Sequence, residues 1–221
     1  MREWSAIFVA VLATSLASCA GQRAARHIDD PISADAAVDS AFPPTMGELS
    51  FESGGSKLNG LMYVANGPGP HPTVIILHGY PGNERNLDLA QAMRRAGVNV
   101  LYFNYRGTWG SGGEFSIAHA LEDVAKAVER ARSEDWASAY RMDPGRVALV
   151  GHSLGGFLGA ITTAEDERIA CFAFLAGADL GWMGLQARKD ASTLAGWESF
   201  LGQQMDARGG PVHGDARRVA S

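Results

Sequence analysis

Val147-Ala148-Leu149-Val150-Gly151-His152-Ser153-Leu154-Gly155-Gly156-Phe157-Leu158-Gly159-Ala160-Ile161 carries two structural signals with almost nothing between them. Val147–Val150 is a short, uninterrupted apolar run of the kind that forms a strand buried on both faces. Leu154, Phe157, Leu158 and Ile161 recur at helical spacing and put one apolar stripe on a helix. A strand therefore passes directly into a helix through Gly151-His152-Ser153-Leu154-Gly155. Glycines on both sides of the corner remove the Cβ atoms that would otherwise keep strand and helix apart. A serine between them, in the order G-x-S-x-G, is the pattern of a nucleophile held at a sharp turn, with the helix N-terminus beneath it to favour developing negative charge.

The same alternation extends in both directions. Val74–Leu77, Val98–Phe103 and Ile169–Leu175 are further apolar runs that read as buried strands. Between them, Leu89, Met93 and Ala96 form a short helical stripe. Ile117, Leu121, Val124, Val128 and Ala131 form a longer one, with all five residues on one face. Strand and helix in alternation predict an α/β fold with a mostly parallel sheet, right-handed crossovers and covering helices. Leu58–Val64 alternates weakly, as an antiparallel hairpin strand at the sheet edge would. Past Gly181 no buried-strand run follows; Leu194, Trp197, Phe200 and Leu201 suggest one amphipathic helix ahead of a polar, Gly-rich end.

The 221 residues suit one domain. Apolar residues at 46% and charged residues at 19% are the balance of a globular core. A net charge of −5, with Lys and Arg scattered, argues against nucleic acid as a partner. Residues 1–19 read as an export signal, with Arg2 near the start and an apolar run from Trp4 to Leu16 that is too short to span a bilayer. Its ending, Leu16-Ala17-Ser18-Cys19, resembles the lipobox of bacterial lipoproteins. That likeness implies lipidation of Cys19 and attachment to a membrane of the bacterial cell envelope; cleavage by an ordinary signal peptidase is the alternative, giving a periplasmic or secreted protein. Residues 20–45, rich in Ala, Asp and Pro, read as a flexible tether. The folded core is expected over residues 46–180, with residues 181–221 a partial cap or insertion. Cys171, inside an apolar run, reads as a small hydrophobe.

Two more motifs follow strands. His78-Gly79-Tyr80-Pro81-Gly82 comes straight after Val74–Leu77, and Asn104-Tyr105-Arg106-Gly107-Thr108-Trp109-Gly110-Ser111-Gly112-Gly113 follows Val98–Phe103. The latter lacks the glycine order of a dinucleotide fingerprint. In this order, and with the Ser153 corner, the three motifs closely resemble the α/β-hydrolase superfamily, in the branch of prolyl-oligopeptidase-type acyl peptidases, dienelactone hydrolases and related esterases. The likeness covers roughly residues 58–179.

The resemblance implies Ser153 as nucleophile, with the backbone N–H groups of Tyr80 and Leu154 as oxyanion donors. It implies a small-molecule ester or peptide substrate, an acyl-serine intermediate and water, with no cofactor. His78 and His152 belong to loops flanking the site and read as structural. In this family the triad acid and histidine follow later strands. Here Asp179 is the candidate acid and His213, the one histidine after Ser153, the candidate base. No seventh or eighth strand is visible, so the expectation is a chain cut short before its triad is complete. The alternative function is a catalytically incomplete envelope lipoprotein with a hydrolase-like fold.

Overall fold

The computed structural model describes residues 30–190 together with residues 192, 193, 195, 196 and 199. Two antiparallel strands open the sheet, β1 (Thr45–Ser53) and β2 (Ser56–Val64), paired from Thr45↔Val64 to Ser53↔Ser56. Gly54 and Gly55 make the turn at φ 53° and 72°, left-handed values that glycine adopts without a Cβ penalty. Four further strands follow: β3 (His71–Leu77), β4 (Asn99–Phe103), β5 (Met142–His152) and β6 (Phe172–Leu175). Spatial order is β1-β2-β4-β3-β5-β6, antiparallel between β2 and β4 and parallel from β4 onward.

Helices connect the parallel strands: α1 (Leu87–Arg95), α2 (Ile117–Ala131), α3 (Glu134–Tyr140) and α4 (Leu154–Glu165), with α5 (Leu180–Lys189) after β6. Each face of the sheet has its own core. Ala90 of α1 packs with Tyr63, Ile76, Val100 and Tyr102 on one face. On the other, Val124 and Val128 of α2, Trp136 of α3 and Leu158 of α4 cover Leu77, Leu101, Phe103 and Leu149. All five residues of β4 are buried, as a strand covered on both faces requires.

The α2 stripe coincides with the helix, and Ser116 caps it by accepting from the His119 N–H at 3.0 Å. Asp123, a charge on the buried face, is fully enclosed. The apolar runs marked only the later parts of β3 and β5, which begin earlier, at His71 and Met142. The short α3 carries one buried residue, Trp136, too few for a stripe.

Ile169–Leu175 departs from the expectation of a strand buried on both faces. The strand is Phe172–Leu175, Phe174 is 63% exposed and Leu175 43%. Among the described residues β6 has a partner on one side only, so its outer surface stays open. Cys171 is exposed for the same reason, not the enclosed hydrophobe its neighbours suggest. Within the expected tether, residues 30–44 hold no regular element, yet they are tied to the domain. Asp35 pairs with Arg94 at 2.6 Å, and the Asp39 N–H donates to Asn66 Oδ1 at 2.8 Å. The proposed helix through Leu194, Trp197, Phe200 and Leu201 falls on residues outside the described ones.

Candidate active site

Ser153 sits at the corner between β5 and α4 with φ 51° and ψ −114°. A non-glycine residue there stores of order 1–3 kcal/mol of strain and persists only where its surroundings over-determine it. Its backbone shows how. The Ser153 N–H donates to the Leu175 carbonyl at 3.0 Å, and its own carbonyl accepts from Gly156 and Ala178 at 3.0 and 2.9 Å. The end of β6 thus grips the corner from one side and the first turn of α4 from the other. The glycines permit the approach: a Cβ on Gly155 would run into the carbonyls of Leu77 and His78, and one on Gly156 would lie 2.7 Å from Gly177 Cα. Leu154 is the first, buried residue of α4, where N–H groups have no acceptor in the preceding turn.

Across the corner lies the loop that leaves β3. A Cβ on Gly79 would be 3.0 Å from Ser153 Cβ and 3.3 Å from His152 Nδ1, so the absence of a side chain lets the loop lie close against the serine. His78, next to it, is fully buried and its Nδ1 is 2.6 Å from the Gly79 carbonyl. A carbonyl only accepts, so Nδ1 carries the proton. Nε2, which has no partner among the described residues, is the bare nitrogen. Burial drives the His78 pKa down to about 4, with the charges of Arg85 and His152 pushing the same way against the opposing bond to Gly79. The ring is therefore neutral at physiological pH. The Gly79–Tyr80 peptide is trans, so fixing the Gly79 carbonyl on His78 turns the Tyr80 N–H to the opposite side. The Tyr80 ring stacks on Phe115 with centroids 4.5 Å apart.

This arrangement has relatives. Residues 74–220, more than half the chain, match the alpha/beta hydrolase family. The chain belongs to that family. It is 32% identical over 129 residues to the quorum-quenching protein AidA of Acinetobacter baumannii, a match that takes in 56% of this chain and 41% of AidA. A protein of unknown function from Agrobacterium tumefaciens has a similar structure, at TM-score 0.51 and 27% identity, covering 59% of this chain and 60% of the other. Puromycin hydrolase shares the fold at TM-score 0.52 and 24% identity over 67% of this chain and 25% of its own. The chain spans less than half the length of AidA.

Within this α/β-hydrolase frame the structure brings Ser153, Leu154 and the Gly79–Tyr80 peptide together. Asp179 stands apart in role: it is exposed, and its carboxylate caps α5 by accepting the Trp182 N–H at 2.8 Å. His213 and Cys19 lie outside the described residues. Among the described residues no hydrogen bond reaches the Ser153 hydroxyl, and His152 Nδ1 is buried without a partner. His78, expected to be structural, is the buried ring that fixes the Gly79 carbonyl. Sequence reasoning passed over one contributor. Asp123 went unremarked, although a carboxylate in the middle of an apolar stripe signals a buried cation nearby; that cation is Arg106, at 2.7 Å.

Proposed function

We propose that the protein is a serine hydrolase that cleaves an ester or amide bond, with Ser153 as nucleophile and the Tyr80 and Leu154 N–H groups as oxyanion donors. The observation that carries this reading is the strained Ser153 backbone at a strand-to-helix corner, with a side-chain-free Gly79 pressed against it. In the reaction, Ser153 Oγ bonds to the substrate carbonyl carbon while its proton passes to a general base. The carbonyl π electrons move onto oxygen, where the two N–H groups hold the charge. Collapse of that intermediate breaks the bond to the leaving alcohol or amine, which departs with the proton, and water then releases the acid from the acyl-serine. His213, the sequence's candidate for the base, stands as a proposal of the same kind.

The motif Leu16-Ala17-Ser18-Cys19 supports export and a lipid anchor on Cys19. Intact mass of the membrane fraction tests this: a diacyl or triacyl addition is expected, and an unmodified soluble chain overturns it. For the chemistry, p-nitrophenyl acetate is offered to the full chain and to Ser153→Ala. Turnover that Ser153→Ala lowers by at least about 10²-fold supports the reading. Turnover that survives Ser153→Ala removes Ser153 from the role.

A further inference from the structure

The loop Asn104–Gly113 has no part in the chemistry proposed above, yet it meets the Gly79 loop at successive points. Tyr105 is fully buried, and its hydroxyl donates to the His78 carbonyl at 2.9 Å while its ring lies 4.2 Å from the His78 ring. Trp109, at φ 46°, donates from Nε1 to the Pro81 carbonyl at 2.5 Å. Gly82 is wedged between the two: a Cβ there would be 2.7 Å from both His78 Nδ1 and Trp109 Nε1. Phe115, just past the loop, supplies the ring on which Tyr80 stacks.

The loop is itself held from outside the site. The Arg106 backbone N–H and Nε donate to the two oxygens of Asp123 at 2.8 and 2.7 Å, and its Nη2 reaches the His119 carbonyl and Glu122. On the other side, the Gly112 N–H donates to the Lys57 carbonyl and Asn59 Nδ2 to the Gly110 carbonyl. α2 and the β1–β2 hairpin thus clamp it from two directions.

Gly79 needs such support because glycine has the widest backbone freedom of any residue. Its two flanking peptide planes decide where the Tyr80 N–H points. One plane is fixed by Tyr105 on the His78 carbonyl, the other by His78 Nδ1 on the Gly79 carbonyl. We propose that Asn104–Gly113 is the element that aims the oxyanion loop, and that Tyr105 and Trp109 are its positioning residues. This rests on the reading of Ser153 and Tyr80 given above. Burial holds the Tyr105 phenol well above its ordinary pKa, so it remains a donor throughout the neutral range.

The test is the rate of covalent labelling of the full chain by a fluorophosphonate, resolved into kinact and KI. Tyr105→Phe keeps the ring and removes one hydrogen bond; Trp109→Phe keeps a ring and removes the other. Val128→Ala, a core truncation in α2, controls for plain loss of stability. Displacing a reacting group by about 1 Å costs on the order of 10²-fold in rate. We expect kinact to fall at least about tenfold in each loop variant with KI held within about twofold, while Val128→Ala, at an equal or larger loss in thermal midpoint, keeps kinact. Unchanged kinact in Tyr105→Phe overturns the proposal, as does an equal fall in Val128→Ala. If Tyr105→Phe does not fold, Trp109→Phe decides on the same terms. Absence of labelling in the wild type, with the chain folded, overturns the Ser153 reading and this proposal with it, whereas labelling that the loop variants leave unaltered overturns this proposal alone.

Discussion

His78 is a titratable side chain kept in its neutral form by burial, and that has a measurable consequence. Its folded pKa is about 4 against an ordinary 6.5. Between those values the unfolded chain takes up a proton that the folded chain refuses, so stability is lost as pH falls from 6.5 towards 4. At 1.36 kcal/mol per pH unit the loss reaches roughly 3 kcal/mol. His78→Asn presents an amide donor near the position of Nδ1 and does not titrate. Urea denaturation at pH 6.5 and 4.5 is expected to show a smaller acid loss in the variant than in the wild type, by about 2 kcal/mol. Equal losses in the two proteins would show that His78 titrates normally in the fold. The corner that holds Ser153 and Leu154 and the loop that holds Tyr80 were legible in the sequence because glycines and neighbouring strand runs mark those backbone positions. The work of His78 was not, because it depends on which ring nitrogen meets which carbonyl, and no spacing encodes that.

Among the elements, α2 shows both what a pattern reveals and what it hides. Its five apolar residues fixed the helix and its facing side. Asp123, on that same side, is completely enclosed and receives two hydrogen bonds from Arg106, whose side chain is 6% exposed. Removing one member of such a pair leaves a charge without its main partner in a site poorly hydrated, which costs about 3–5 kcal/mol, whereas replacing both by apolar residues is often close to neutral. Asp123→Ala is therefore expected to lower unfolding free energy by about 3 kcal/mol or more. The double variant Arg106→Met with Asp123→Leu should recover a substantial part. Denaturant titration checks both, and a single variant within about 0.5 kcal/mol of the wild type would reduce the pair to a surface-like contact. β6 is a strand where the sequence predicted one, but its burial on both faces was misjudged, for a related reason. Its residues are as apolar as those of β4, and apolarity reports what a strand can bury, while exposure depends on neighbours that lie elsewhere in the chain.

At the level of the whole molecule, alternating strands and helices sufficed for the α/β class, the parallel sheet and the antiparallel hairpin at its edge. The order β1-β2-β4-β3-β5-β6 places the ends of β3 and β5 side by side. That adjacency is what puts the loop after β3 against the corner after β5. Its logic was present in the motifs, since two strand-end loops can share a site only if their strands are neighbours. Phe174, Leu175, Trp182 and Leu185 remain exposed beyond β5, and no local pattern distinguishes them from core residues. On the proposed reading, this frame activates one serine among all those in the chain. Incubating the full chain with a fluorophosphonate, then mapping the adduct by peptide mass spectrometry, tests it directly. A single adduct on Ser153, absent from Ser153→Ala and from chain unfolded in urea, is the predicted result; an adduct on another residue, or none on a folded wild-type chain, would contradict the assignment of Ser153 as nucleophile.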